Sequence, residues 1–314
     1  MISSQGDYIM IKVGVLGIGN IAQKAYIPVY AARNHDVEWH LYSRSQEKLD
    51  ALSRQYNFSN THTNIDAMIA SGIQAVFIHT PTQTHGDLIR KFLNHGIHVY
   101  VDKPISENIL EVRELVALAQ AQSCVLMTGF NRRMSPLYQQ QKDIAQKNMI
   151  LVQKHREHAD QDVKFALFDM MIHVVDTLVY LMDTPIVSHH IRGVTEAGIL
   201  SHAHLELHGD HVTGMATINM HSGGRSEVVE VMSPTGFYRC VDMNELLIHS
   251  DQGHHTERFG DWVPTLEKRG FVQIVDHFIE CVKTGKQSDI FTLDDALITH
   301  QLVHDIYETI KEKA

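Results

Sequence analysis

Three ionisable residues interrupt the apolar face of one predicted helix. The segment from Phe165 to Met182 has apolar residues at helical spacing, and Asp169, His173 and Asp176 stand among them at positions i, i+4 and i+7. At about 100° per residue these three side chains fall on one stripe of a mostly buried helix. A carboxylate beside an imidazole raises the histidine pKa and fixes its tautomer, which predicts a general base with an orienting partner. The alternative is a structural Asp–His pair in the core.

A lysine that precedes a proline is the second candidate for chemistry. Asp102-Lys103-Pro104 follows a predicted strand, His98 to Val101. The proline restricts the lysine backbone to an extended conformation and permits a cis bond. We therefore expect the lysine side chain to have a fixed direction rather than to move freely in solvent. Taken alone, a lysine at a strand end is more often a surface residue.

A second loop follows the preceding predicted strand and runs from His79 to His85. The carboxyl ends of parallel strands place ligands at one edge of a sheet. We therefore expect this loop to lie beside the lysine loop and to form part of the same site.

The first predicted strand leads directly into a glycine-rich turn. Its sequence is Gly17-Ile18-Gly19-Asn20-Ile21-Ala22. Small residues in such a turn let backbone N–H groups approach a pyrophosphate at a helix N-terminus. The motif is weak alone, because steric reasons also produce glycine turns, but its place at the first strand of a βαβ series favours dinucleotide binding.

The end of the second predicted strand bears on the choice of cofactor. A carboxylate there is typical of proteins that bind the ribose 2′-hydroxyl of NAD, whereas this sequence has Ser43 and Arg44, with Lys48 following. A hydroxyl and a guanidinium would bind a 2′-phosphate by donating charge-assisted hydrogen bonds to its oxygens. We therefore expect NADP in preference to NAD. The alternative is that Arg44 is a solvated residue at a helix start.

The elements that must position these residues fall into two halves. Residues 1–130 alternate short β-branched runs with helical stretches, with strands at Met10 to Leu16, Val37 to Tyr42, Ala75 to His79, His98 to Val101 and Val125 to Thr128. This pattern predicts a Rossmann fold, an α/β domain with a doubly wound parallel sheet. Residues 1–7 are polar and are either a frayed extension or an upstream start.

Residues 131–314 have a different pattern of predicted strands and helices, which predicts a second, α+β domain. Alternating segments separated by turn residues indicate a large, mostly antiparallel open sheet. The expected strands are Ile150 to Arg156, Val187 to Gly193, Leu200 to His208, Val212 to His221 and Ser226 to Met232, and the expected helices are Pro136 to Asn148, Phe165 to Met182, Glu267 to Thr284 and Leu293 to Lys313.

Composition narrows the class of protein. The formal net charge of −10 argues against nucleic acid as a partner. Three widely spaced cysteines and no apolar leader or span predict a cytoplasmic protein without disulfides or a membrane partner. His202, His204, His208 and His211 could bind zinc, but one strand face rarely converges enough ligands, so we expect no metal.

Taken in order, these motifs resemble the Gfo/Idh/MocA oxidoreductases over nearly the whole chain. The resemblance rests on the glycine turn, Thr80-Pro81-x-x-x-His85, Asp102-Lys103-Pro104, Gly129-Phe130-Asn131-Arg132-Arg133, Asp169-x-x-x-His173-x-x-Asp176 and Asp295-Ala296-Leu297. The segment from Ile21 to Pro28 also resembles the MviM-like bacterial group. Two departures stand out. Asp102 replaces the usual glutamate, and Met170-Met171 stands where the family commonly has glycine before the histidine, which would either narrow the site or signal a changed substrate.

The resemblance implies roles for these residues. It implies that Lys103, Asp169 and His173 form the catalytic set beside a nicotinamide, and that the substrate is a small sugar, polyol or related hydroxy compound. It also implies that the cofactor is contacted by Thr80, Pro81, His85 and Lys103. We expect Asn131, Arg132, Arg133 and Asp176 to hold that substrate. The family fold also implies a homodimer or homotetramer built on the open sheet. A dinucleotide-binding sensor that turns nothing over is the alternative, since a fold does not determine a function.

Overall fold

A computed structural model describes residues 10–311. The predicted extension at residues 1–7 and the last residues of the predicted C-terminal helix lie outside the described residues. Among the helices that the structure describes, none combines the length and apolar character needed to cross a bilayer.

The first half of the chain forms a six-stranded parallel sheet in the order β3-β2-β1-β4-β5-β6, which is the Rossmann order. The strands are β1 (Ile11–Leu16), β2 (Val37–Tyr42), β3 (Asn60–His62), β4 (Ala75–Ile78), β5 (His98–Val101) and β6 (Leu126–Thr128). A π-helical turn (Ala22–Tyr26) leads into α1 (Ile27–Ala31), and α2 (Gln46–Tyr56), α3 (Ile65–Ala70), α4 (His85–Leu93) and α5 (Ile109–Ala121) follow the later strands. The predicted fold of this half is confirmed.

The second half forms an eight-stranded sheet in the order β14-β13-β12-β11-β7-β10-β9-β8. It is antiparallel except where β10 pairs with β7, so the predicted mostly antiparallel sheet is confirmed. The strands are β7 (Met149–Glu157), β8 (Ser188–Glu196), β9 (Ile199–His208), β10 (Thr213–Ser222), β11 (Ser226–Ser233), β12 (Gly236–Val241), β13 (Glu245–Ser250) and β14 (Gly253–Arg258).

One helical run covers the inner face of this second sheet. The short α7 (Val163–Phe165), a π-helical segment (Ala166–Met171) and α8 (Ile172–Leu181) are continuous, after α6 (Pro136–Lys142). A side chain on Gly214 of β10 would lie 2.5 Å from Leu178, so the glycine lets α8 pack closely on the strand. Ile150, Val152 and Lys154 are buried on the same face of β7.

The C-terminal helices join the two sheets. They are α9 (Thr265–Lys268), α10 (Phe271–Thr284) and α11 (Leu293–Lys311). Phe278 of α10 packs against Phe77 and Tyr100 of the first sheet, with ring centroids 4.9 and 5.6 Å apart. On α11, His300 Nε2 accepts a hydrogen bond from the backbone N–H of Ile105 at 2.9 Å, next to the lysine loop.

The structure corrects several predicted boundaries. The helix predicted from Pro136 to Asn148 ends at Lys142. The helix predicted from Glu267 to Thr284 is broken at Gly270, whose φ is +77°. Strands β3, β12, β13 and β14 were not predicted at all.

Candidate active site

The carboxyl edge of the first sheet brings the predicted loops together. Leu16, Ile78, Val101 and Thr128 are paired in register across β1, β4, β5 and β6, so the residues that follow them share one edge. A cavity of about 460 Å³ opens there against the second half of the chain. It is lined by Ile21, Tyr26, His79, Thr80, Pro81, Thr82, His85, Asp102, Lys103, Gly129, Asn131, Arg132, Lys154, Asp169, Met170, His173, Arg269 and Phe271.

The glycine turn fits a bound pyrophosphate. Gly17 has φ +84°, and a Cβ there would lie 2.4 Å from the carbonyl carbon of His79, so only glycine lets the two loops approach. A Cβ on Gly19 would meet nothing within 4 Å, which leaves open space above the turn. Asn20 and Ile21 are exposed, whereas the Ile18 side chain is buried in the core and could contribute only its backbone to a ligand.

The residues after β2 lie near the glycine turn. Leu16 and Tyr42 are paired in register, so Ser43 and Arg44 begin at the same edge as the glycine turn. Arg44 and Lys48 are exposed, and no described residue forms an ion pair or a side-chain hydrogen bond with Arg44. Ser45 caps α2 by accepting a hydrogen bond from the Lys48 N–H.

His85 ties the two candidate loops to each other. Its Nδ1 lies 2.8 Å from the carbonyl oxygen of Pro104, and its Nε2 lies 2.8 Å from that of Thr80. Burial lowers the pKa of His85, although both carbonyl contacts oppose the shift. The side chain is 1% exposed, so its principal contacts are with the protein, and Thr80 and Pro81 present the cavity surface.

Lys103 and Asp169 meet as a pair at the cavity wall. The Lys103 Nζ donates to Asp169 Oδ1 at 2.5 Å and to the Asp169 carbonyl oxygen at 2.7 Å. The bond between Lys103 and Pro104 is cis. Asp169 lies in the π-helical segment, and Met170 beside it lines the cavity, as the replacement of glycine suggested.

His173 differs from the expected Asp–His couple. No hydrogen bond joins it to Asp169 among the described residues, and its Nδ1 is buried without a partner there. Burial, together with the positive charges of Arg132, Lys103 and Lys154, lowers its pKa well below the ordinary value. The predicted rise of the pKa was wrong because the carboxylate of Asp169 pairs with Lys103 instead.

Arg133 and Asp176 lie in the core rather than in the cavity. Both side chains are 1% exposed and form a salt bridge of 2.7 Å. Arg133 also donates to Asp295, and the Thr299 hydroxyl lies 3.4 Å from Asp176. This corrects the expectation that the two residues hold substrate, because their charges are already satisfied by each other and by α11.

Arg132 and Asn131 do line the cavity, with partners that sequence analysis did not find. Arg132 forms a two-pronged ion pair with Glu227, and the second contact measures 2.9 Å. Lys154 Nζ lies 3.2 Å from the same carboxylate. Glu227 and Lys154 are directly paired on β11 and β7. The sequence did hold a signal for Lys154, because its spacing of two residues from Val152 and four from Ile150 places it on the same, apolar face of the strand.

A buried polar network lies beneath the lysine loop. Asp102 accepts hydrogen bonds of 2.8 Å from the Tyr26 hydroxyl and from Nδ1 of His79. Nε2 of His79 lies 2.8 Å from the Tyr30 hydroxyl. Burial opposes ionisation of Asp102, but His79 and the two hydrogen bonds outweigh it and lower the pKa. The network fixes the residue that precedes Lys103.

Two family models match most of the chain. Residues 11–130 match the Gfo/Idh/MocA model, described as an oxidoreductase family with an NAD-binding Rossmann fold. Residues 136–251 match the YceM-like C-terminal domain.

Individual proteins match over longer stretches. YceM of Salmonella typhimurium is 33% identical over 281 residues, which cover 87% of this chain and 90% of that protein. The scyllo-inositol 2-dehydrogenase (NAD(+)) of Bacillus subtilis is 26% identical over 249 residues, covering 71% of each. The crystal structure of a dehydrogenase (MviM) from Clostridium difficile superposes with a TM-score of 0.85 at 29% identity, covering 95% of this chain and 99% of that one.

Proposed function

The chain belongs to the Gfo/Idh/MocA family of oxidoreductases, and from that premise we propose that it transfers a hydride between a nicotinamide cofactor and a CH–OH carbon of a sugar, polyol or related compound. One observation carries the proposal. Lys103, Asp169 and His173 converge on a single cavity at the carboxyl edge of the dinucleotide-type sheet. The Bacillus subtilis relative, which is named for an inositol, supports a polyhydroxy substrate.

The residues at the sheet edge would hold the cofactor. Gly17, Gly19, Asn20 and Ile21 would face the pyrophosphate, with Ser43, Arg44 and Lys48 at the adenosine ribose and Thr80 and Pro81 near the nicotinamide. We propose NADP as the preferred cofactor, because Arg44 has no ionic partner among residues 10–311 and so favours a 2′-phosphate. When bound, the nicotinamide supplies the hydride acceptor or donor.

His173 and Lys103 would act on the substrate oxygen. The lowered pKa keeps His173 neutral near pH 7, so it can accept the hydroxyl proton during oxidation. In the reverse direction, its protonated form gives up a proton more readily than an ordinary imidazolium does. The Lys103 ammonium, held by Asp169, would donate a hydrogen bond to the oxygen as negative charge develops. Asp169 thus positions the lysine in this scheme, rather than the histidine.

The direct test is a turnover assay with purified protein. We expect NADP reduction, followed by absorbance, with at least one member of a panel of sugars, polyols and hydroxy acids. The sensor would be favoured if the protein binds the dinucleotide but turns over no member of the panel, and if a Lys103→Ala variant binds the dinucleotide as the wild type does. We further propose a cytoplasmic site of action and a homo-oligomeric assembly.

A further inference from the structure

Positive side chains crowd the cavity of an acidic protein. Lys103, Arg132, Lys154 and Arg269 all line it, although the chain has a formal net charge of −10. The concentration is therefore a property of this site and not of the whole surface.

The carboxylates around the cavity do not match these cations one to one. Asp169 pairs with Lys103, and Asp102, the other carboxylate of the lining, forms its ion pair with His79. Arg132 and Lys154 share the single carboxylate of Glu227, which is the contact partner of both. The Arg269 guanidinium forms no hydrogen bond or ion pair with a described residue. The half of the cavity formed by Arg132, Lys154 and Arg269 therefore holds excess positive charge.

Arg269 is held in place by its backbone. Its carbonyl oxygen accepts a hydrogen bond of 2.8 Å from the Asn131 side chain, and the Ser135 hydroxyl donates to the carbonyl oxygen of Lys268 at 2.9 Å. Gly270 has φ +77°, and a Cβ there would lie 2.3 Å from the Asn131 carbonyl oxygen. This tight turn fixes the backbone of Arg269, which lines the cavity, rather than leaving the residue on a free loop.

The unbalanced charge is costly without a ligand. Arg132 is buried and the Lys154 side chain is 11% exposed. The pKa of Lys154 is lowered to about 8, chiefly by burial and also by the positive charge of Arg132, while Glu227 opposes the shift. An anion in this half of the cavity would relieve the repulsion and gain charge-assisted hydrogen bonds.

We propose that the substrate carries an anionic group, a carboxylate or a phosphate, which binds to Arg269 beside Arg132 and Lys154. This inference rests on the proposed function, because it assumes that the reacting carbon sits at Lys103 and His173. The hydroxyl end of the molecule then meets the Lys103 side of the cavity, and the acidic end meets the guanidinium. A sugar acid and a sugar phosphate share this chemistry.

Binding measurements test the inference independently of turnover. Calorimetry on the NADPH-loaded protein compares two matched pairs, gluconate with glucitol and glucose 6-phosphate with glucose. We expect the anionic member of at least one pair to bind about 10- to 100-fold more tightly, as charge-assisted hydrogen bonds predict. The pair that shows the preference distinguishes the carboxylate from the phosphate.

Two variants locate the effect. Arg269→Met should abolish the preference while NADPH affinity stays within about twofold of wild type. Lys268→Met is the matched control, since its ammonium group lies 5.5 Å from the centre of the Phe259 ring and outside the cavity lining, and it should retain the preference.

Three results overturn the inference. They are equal or undetectable binding within both pairs, a preference that survives Arg269→Met, and a parallel loss of NADPH affinity, which would assign Arg269 to the cofactor. Failure of the proposed function looks different: the anion binds with the expected preference, but no panel member reduces NADP.

Discussion

His173 is the residue whose chemical role can be separated from folding. It lines the cavity, its Nδ1 has no partner among the described residues, and removing the ring breaks no side-chain hydrogen bond described there. His173→Ala should lower kcat by about 10²- to 10⁴-fold, the loss expected for a positioned acid–base group. Steady-state kinetics would measure this, with NADPH affinity and Tm as controls. A kcat within about twofold of wild type would make His173 a structural histidine.

The lowered pKa of His173 predicts the pH dependence of oxidation. The base is active when neutral, and burial with neighbouring positive charges keeps it neutral to a lower pH than an ordinary histidine. The kcat/KM of oxidation should therefore stay level as pH falls through 6.5 and decline only well below it. Lys154→Met removes one of those charges and should move the decline to higher pH. A decline at or above pH 6.5 in the wild type would contradict this assignment.

Arg44 carries the prediction about cofactor choice. It is exposed and unpaired among the described residues, at the edge where β2 ends. Arg44→Ala should weaken NADPH by about 10- to 100-fold and leave NADH nearly unchanged, because only NADPH has the 2′-phosphate. Fluorescence titration of both cofactors measures this, and Arg54→Ala, in the last turn of the helix α2 that follows Arg44, is the control. Equal weakening of both cofactors, or tighter NADH binding by the wild type, would refute the preference.

At the scale of single residues, the sequence predicted which residues form the site better than it predicted their ionic partners. Lys103, Asp169 and His173 were found because their motifs stand in known order. Their ionic partners depend on contacts between distant segments, such as the ion pair of Asp169 with Lys103. A pattern within one helix cannot reveal that a carboxylate turns toward another loop.

Among the turns and helices, the turn at Gly270 is the one that fixes the position of the Arg269 backbone. Gly270→Ala should lower the free energy of unfolding. Backbone strain alone costs about 1–3 kcal/mol, and the clash with the Asn131 carbonyl adds to it. Gly285→Ala is the matched control, with φ +65° at the end of α10 and no atom within 4 Å of the added Cβ. Urea denaturation would compare the two. Equal losses would mean that the close approach to Asn131 contributes nothing.

Element prediction succeeded where local pattern and final pairing agree. The βαβ rhythm of the first sheet was readable because each strand is a short apolar run with a helix after it. Strands β12, β13 and β14 lack that signal. The turn between β12 and β13 places Asp242 and Met243 at positive φ, and methionine there is no recognised hairpin signature. Each of these strands instead pairs with the strand that precedes it in the chain, β12 with β11, β13 with β12 and β14 with β13, and none of the connecting turns carries an Asn-Gly or Asp-Gly pair that would have predicted the hairpin.

At the scale of the whole molecule, the chain does not pack in sequence order. The helix α10 comes after the second sheet yet packs on the first, where Phe278 contacts Phe77 and Tyr100. The α11 residue His300 accepts a hydrogen bond beside the lysine loop. The cavity therefore lies between two halves that share a core, and the predicted boundary at residue 130 stays a prediction about organisation.

The outer face of the second sheet predicts self-association. A row of residues runs across it in register: Glu206, Met215, Leu151, Glu230, Arg239 and Leu247. These positions alternate with the inner face, which α8 covers, and no described helix covers the row. An open sheet face that mixes Met and Leu with paired charges suits a symmetric contact between two copies, where each sheet would bury the other's apolar residues.

Light scattering at micromolar concentration should therefore give the mass of a dimer or tetramer. Met215→Glu should shift the mass toward the monomer, because it would bury an unpaired carboxylate directly opposite Glu206 in each contact. Leu110→Glu is the control, since Leu110 is 70% exposed on α5 in the other half of the chain, and it should leave the mass unchanged. Circular dichroism would establish that both variants are folded. A wild-type chain that stays monomeric would remove the role of this face, and an unchanged mass in Met215→Glu would place the contact on another surface.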